Sequence, residues 1–171
     1  MKKSFQLETE RLYLRELSIV DASFILQLMN APNWLQYIGD RHVRTKSDAA
    51  NYISKKIITS YRNNRFGLYL MQLKEVKLSI GICGLVQRDG LDAPDIGFAI
   101  LPEFENKGYI SEAIQITMKF AFDDLELEVV QGITTLDNAA AIRLLENAGM
   151  IYKMNIKLPE SDKEFMLFST K

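Results

Sequence analysis

At 171 residues and 47% apolar composition, the chain suits a single domain over residues 1–171, able to bury roughly 70% of its unfolded surface. Its 21 basic and 22 acidic residues give a formal net charge of −1, which excludes an overall field for nucleic acid or an anionic membrane and makes any phosphate recognition local. The one cysteine, Cys83, excludes an internal disulfide or a cysteine-built metal cluster and fits a reducing, cytoplasmic setting, while residues 1–8 turn polar too early for a secretory leader and no stretch approaches the ~20 apolar residues of a membrane span.

Residues 7–16 alternate, with Leu12 and Leu14 apolar between Arg11 and Arg15, as a half-buried strand does. Residues 18–30 shift to helical spacing, with a start near Asp21. Pro32 stops that helix, because proline pushes its predecessor out of the helical region and cannot donate to the ladder, and residues 34–44 read as a loop. Thr45 or Ser47 caps a helix running to about Arg62, and Asn63-Asn64 ends it. Residues 66–73 and 78–86 read as an antiparallel hairpin. After a turn at 90–94 comes a strand at 95–101, then a helix from Lys107 to about Asp124, with apolar or small residues at 110, 113, 114, 117, 118 and 121. Residues 129–135 form a strand, and 138–148 a helix with Gly149 at its left-handed cap. Residues 152–158 and 165–169 close the chain as a hairpin. This order predicts an α/β (α+β) fold, a mixed sheet covered by helices.

The strand at 95–101 turns through Asn106-Lys107-Gly108 straight into a helix. A helix start carries unpaired backbone N–H groups and about half a positive charge, so a small-residue loop there lets a phosphate reach the backbone.

The run Ile96-Gly97-Phe98-Ala99-Ile100, the loop Asn106-Lys107-Gly108-Tyr109, Glu112-Ala113, Thr135-Leu136-Asp137-Asn138-Ala139-Ala140-Ala141 and Leu144-Leu145-Glu146-Asn147-Ala148-Gly149-Met150 together resemble the GNAT superfamily of N-acetyltransferases. Within it, Leu7-Glu8-Thr9-Glu10-Arg11-Leu12-Tyr13-Leu14-Arg15 and Asp21-Ala22 resemble the subgroup that acetylates ribosomal-protein N-termini at alanine or serine, and that includes enzymes for other small amines. The resemblance covers nearly the whole chain. It implies a mostly antiparallel mixed sheet, splayed between residues 95–101 and 129–135 and covered by about four helices, with acetyl-CoA wedged in the gap. It also implies direct acetyl transfer to a primary amine, a protein N-terminus or a small molecule, by a monomer or homodimer.

By the same resemblance, backbone N–H groups of Asn106, Lys107, Gly108, Tyr109, Ile110 and Ser111 hold the pyrophosphate. Phe98, Ala99, Ile100 and Leu101 offer backbone groups to the pantetheine arm and one N–H to the thioester oxygen, and Asn138 holds the arm from the other side. Asn106 stands where the family has glycine, and asparagine is among the few other residues that tolerate positive φ. Glu103 stands where glutamine or arginine is common and cannot donate to a phosphate; Lys107 offsets it.

For the chemistry, an α-amine near pKa 8 is about a tenth neutral at pH 7 and a lysine far less, so a protein N-terminus demands less of a base. Asp95, at the head of the splayed strand where the subgroup often carries a carboxylate, is the candidate base, acting through water. Relatives protonate the leaving thiolate from a serine three residues after the asparagine or a tyrosine seven after it; here those positions are Ala141 and Leu145. Tyr109, Tyr152, Ser111 or water can substitute, or the thiolate leaves unprotonated. The gap motivates a second reading, a non-catalytic acyl-CoA-binding or sensing module. A third, a dinucleotide-type nucleotide site, lacks its glycine fingerprint.

Other residues carry a plain reading beside a functional one. Asn138 or Asp137 is a good helix N-cap. Trp34 and Tyr37 serve an acceptor wall or a core lid, His42 faces substrate or solvent, and Cys83 is a small buried hydrophobe.

Overall fold

The computed structural model describes residues 5–171; residues 1–4, part of the charged start read above against a leader, lie outside the described residues. The predicted strand at 7–16 is two strands, β1 (Gln6–Glu8) and β2 (Leu12–Glu16), paired antiparallel with Leu7 opposite Leu14. Thr9 makes the turn: its backbone N–H donates to the Leu12 carbonyl at 2.9 Å and its hydroxyl accepts from the Leu12 N–H at 2.9 Å, a hydroxyl turn of the kind that interrupts a ladder.

Helix α1 (Ala22–Met29) ends where expected, but residues 34–44 are not wholly loop. Pro32 opens α2 (Pro32–Tyr37), occupying the first helical position, where a missing N–H costs nothing and φ is already set. Thr45 caps α3 (Lys46–Tyr52) by accepting from the Asp48 N–H at 3.0 Å. That rod continues through a π-helical stretch (Ile53–Ile58) into α4 (Thr59–Asn64). Strands β3 (Leu68–Leu73), β4 (Ser79–Val86) and β5 (Asp95–Ile100) follow, then α5 (Tyr109–Asp123), β6 (Gln131–Thr135), α6 (Ala139–Asn147), β7 (Ile151–Lys157) and β8 (Glu164–Ser169). The helices thus make five rods rather than about four, the extra one being α2.

All eight strands form one sheet in the order β1-β2-β3-β4-β5-β6-β8-β7, antiparallel except between β5 and β6. Helix α5 buries Ile110, Ala113, Ile114, Met118 and Ala121 against Leu12, Leu14, Met71, Cys83 and Leu85 on one face. On the other face, α1 and the α3–α4 rod pack Ile25, Leu28, Ile53 and Ile57 onto Leu70 and Ile82. Each such large side chain contributes about 1.5–3 kcal/mol of burial. Three features locate the site. In β4, Met71 pairs with Gly81 and Gln72 with Ser79, so Ile80 is an extra residue that bends the strand. Between β5 and β6 the ladder holds only at Asp95–Gln131, and beyond it the two strands stop pairing. The β5 edge from Ile96 onward therefore has alternate backbone groups with no strand partner.

Candidate functional site

The gap beyond Asp95–Gln131 opens into a cavity of about 850 Å³, walled by β5, the β5–α5 loop, the starts of α5 and α6, and α2. The loop is shaped by two residues in left-handed conformation, Asn106 (φ 58°) and Gly108 (φ 82°), so asparagine does stand in here for the expected glycine. Gly108 is the N-cap of the 15-residue α5. The first N–H groups of that helix have no intrahelical partner and, with the adjoining loop amides, form a concave anion nest at a helix's positive end.

Of the residues expected to hold a cofactor, Phe98, Ala99, Ile100, Asn106, Gly108, Tyr109, Ile110, Ser111 and Asn138 line this cavity. Lys107 does not; its ammonium lies 5.7 Å from the centre of the Phe104 ring. Leu101 is buried in the core instead, its N–H donating to the Ile80 carbonyl at 2.9 Å. Asn138 caps α6, its Oδ1 accepting from the Ala141 N–H at 3.1 Å, and it borders the cavity with its amide nitrogen not used in the cap.

The loop is braced from behind. Glu112 on α5 accepts from the Thr9 hydroxyl at 2.8 Å, the Arg11 N–H at 3.1 Å and Arg11 Nε at 2.5 Å. The Arg11 guanidinium also stacks 4.4 Å over the Tyr109 ring. Burial pushes the Glu112 carboxyl up, but these hydrogen bonds outweigh it and hold the group below the usual range. The β1–β2 turn therefore clamps the first turn of α5.

Trp34 and Tyr37 both line the cavity from α2. Trp34 is buried, with its indole N–H donating to the Gly39 carbonyl at 3.1 Å, so it also serves as a lid on the core. His42 is not brought to the site: its side chain is 86% exposed and it does not line this cavity. Cys83 is fully buried beside Thr117, and burial pushes its thiol up to about 12, which makes it inert as a nucleophile.

Asp95, the expected base, is 1% exposed and outside the cavity lining. Both its oxygens accept from Arg88 Nε at 3.0 Å. Burial pushes its carboxyl up, opposed by the Arg88 charge and hydrogen bond. Ala141 borders the cavity and Leu145 is buried, and neither side chain carries a proton to give. Among the substitutes, Tyr109 and Ser111 border the cavity, whereas Tyr152 is exposed on β7 and donates to Asn155 Oδ1.

Asn33 and Arg143 are among the cavity residues that the sequence reading does not anticipate. Asn33 ties α2 to the site, its amide donating to the Ile100 carbonyl at 2.9 Å and to Glu105 Oε1 at 2.5 Å. Arg143, exposed on α6, adds a cation at the rim. Reading Pro32 as a helix opener would have placed Asn33; Arg143 lies five residues after Asn138 on a helix that was already predicted.

Among proteins of known sequence and structure, a family model described as "Acetyltransferase (GNAT) domain" matches residues 11–151. The uncharacterized N-acetyltransferase YoaA of Bacillus subtilis is 29% identical over 145 residues, 84% of this chain and 81% of that one. The ribosomal-protein-S5-alanine acetyltransferase of Vibrio fischeri superposes with a TM-score of 0.80 at 16% identity, covering 96% of this chain and 95% of that one. RimL, a ribosomal L7/L12 α-N-protein acetyltransferase solved in complex with coenzyme A, superposes with a TM-score of 0.78 at 13% identity, covering 96% and 97%.

Proposed function

This chain belongs to the GNAT acetyltransferase family, and from that premise we propose that it transfers the acetyl group of acetyl-CoA directly to a primary amine, a protein N-terminus or a small amine, in a cytoplasmic setting. The observation that carries the reading is the pairing of two left-handed residues, Asn106 and Gly108, ahead of α5 with an unpaired β5 edge across the same cavity. A phosphorylated carrier with an amide-bearing arm needs those two elements side by side: an anion nest and a free strand edge.

In this reading the amides from Asn106 to Ser111 take the pyrophosphate. The β5 edge from Phe98 to Ile100 takes the arm and offers an N–H to the thioester oxygen, and the Asn138 amide closes the other side. A bond forms between the amine nitrogen and the acetyl carbon, the carbon–sulfur bond breaks, and the amine's surplus proton leaves to water or to the thiolate. A thiol of pKa about 8.5 is an adequate leaving group near neutrality, so the absence of an acid at Ala141 and Leu145 is tolerable. An α-amine, about a tenth neutral at pH 7, likewise needs little from a base. That agrees with a protein N-terminus, the kind of acceptor named for the L7/L12 enzyme of similar fold. Asp95 serves in this reading as the partner of Arg88.

Calorimetric titration tests the cofactor side. CoA is expected to bind, and ATP and NAD to bind far more weakly. Asn138→Asp separates the two roles of that residue, because aspartate caps a helix as well as asparagine but replaces the amide donor with a charge. Its thermal midpoint should stay near wild type while CoA affinity falls about tenfold, the value of one lost hydrogen bond near 1.4 kcal/mol. Unchanged affinity would make Asn138 a cap alone.

A further inference from the structure

A second cavity, of about 610 Å³, lies on the sheet face covered by the α3–α4 rod, bounded by the end of β4 and the β7–β8 loop. Its wall adjoins the first cavity. A Cβ placed on Gly97 would stand 3.2 Å from both Leu68 Cδ2 and Val86 Cγ2, which line the second cavity, while Ala99, two residues on and on the same face of β5, lines the first. The two cavities thus flank neighbouring residues of the same face of β5, Gly97 and Ala99.

The lining carries Arg41, Lys55, Lys56 and Arg88 against two exposed loop carboxylates, Asp89 and Glu160. The balance stays positive even with buried Asp95 set against Arg88, in a chain whose formal net charge is −1. None of Arg41, Lys55 and Lys56 forms an ion pair among the described residues. Asp95 grips Arg88 by Nε, and neither Arg88 η nitrogen has a protein hydrogen-bond partner among the described residues. Tyr52 brings a phenol to the same cavity wall as Arg41 and Arg88; burial pushes it up, and the two arginine charges oppose that rise. Lys55 and Lys56 lie one helical turn on from Tyr52 along the rod, and both line the cavity.

We propose that this second cavity is the acceptor side of the site and selects primary amines that carry a carboxylate, gripped by Arg41, the free end of Arg88 and the Tyr52 hydroxyl. Forked guanidinium donors match a carboxylate bidentately. The proposal rests on the acetyl-transfer reading for its chemistry and on the cavity alone for its binding, and the two are tested apart.

Thiol release from acetyl-CoA is measured with matched acceptors: glutamate against glutamine as free amino acids, and Ser-Asp-Asp-Ala amide against Ser-Asn-Asn-Ala amide as N-terminal peptides. In parallel, binding of a C-terminally labelled Ser-Asp-Asp-Ala peptide is followed by fluorescence anisotropy, with no turnover required. The expected result is at least a tenfold preference in kcat/KM for the acidic member of one pair, and that pair tells a free amino acid from a peptide N-terminus. The preference should shrink severalfold in Arg41→Gln and Tyr52→Phe and on raising the salt to 0.5 M. Arg88 is left intact because its loss would strand buried Asp95, and thermal midpoints verify that the two variants fold. Equal turnover of acidic and neutral partners overturns the proposal and leaves acetyl transfer standing. If no amine releases thiol, acetyl transfer fails, and anisotropy still decides the cavity: salt-sensitive peptide binding lost in Arg41→Gln upholds it, and no binding overturns it.

Discussion

Gly108→Glu is expected to raise the dissociation constant for CoA by about two orders of magnitude while the sheet stays folded. Gly108 holds φ at 82°, a conformation that costs any residue with a Cβ roughly 1–2 kcal/mol. Its Cβ would stand 3.0 Å from the Arg11 guanidinium, which already braces Glu112 and stacks on Tyr109. The new carboxylate also competes with phosphate for the helix N-terminus. A residue with a Cβ lets the free loop leave this conformation and re-enter it only on binding, so strain supplies about tenfold at 1.4 kcal/mol per decade, and the charge supplies the rest. Gly108→Ala isolates the first part and should weaken CoA binding about tenfold. Calorimetry with both variants, and circular dichroism to verify folding, checks the pair; wild-type affinity in Gly108→Glu would move the phosphate site elsewhere.

Gly84→Ala is expected to destabilise the whole domain by about 3 kcal/mol, at the upper end for overpacking. Gly84 sits mid-strand in β4 opposite Leu68, where the neighbouring backbone leaves no space. An added Cβ would fall well inside the contact radius of the Gly67 carbonyl oxygen and 2.8 Å from Leu68 Cα. The Gly67 carbonyl also accepts the Leu85 N–H at 3.1 Å, so moving it aside disturbs the ladder itself. For a chain of this size each kcal/mol lowers the thermal midpoint by about 2–4 °C, so the shift should be roughly 6–12 °C. A midpoint within 2 °C of wild type would mean that β3 can give way at little cost.

These two glycines differ in how far they could be read in advance. Gly108 follows a strand and opens an amphipathic helix within a few residues, and that local pattern, with Asn106 as the residue able to adopt the same backbone, is visible in the sequence. The crowding at Gly84 is a contact between strands, invisible until β3 and β4 are laid side by side. The same division runs through the rest. Thr45 and Asn138 were legible as caps because capping is local chemistry. Pro32 was ambiguous, since proline both ends one helix and starts another, and the wrong choice hid α2 and Asn33. The π-helical stretch has no compositional signal. Asp95 stood out as a carboxylate at a strand head, but its bond to Arg88, seven residues earlier across a turn, exists only once β4 and β5 pair. The second cavity draws on α3, β4 and the β7–β8 loop, so its charge could be assembled only from the folded chain.

The most direct test of acetyl transfer is release of free CoA thiol from acetyl-CoA in the presence of a panel of N-terminal peptides, free amino acids, polyamines and aminoglycosides, with the product identified by mass. Amine-dependent release, with one acetyl group gained by one class of acceptor, is the predicted result. Tight CoA binding with no release on any amine would contradict it and leave the chain a sensor of acyl-CoA.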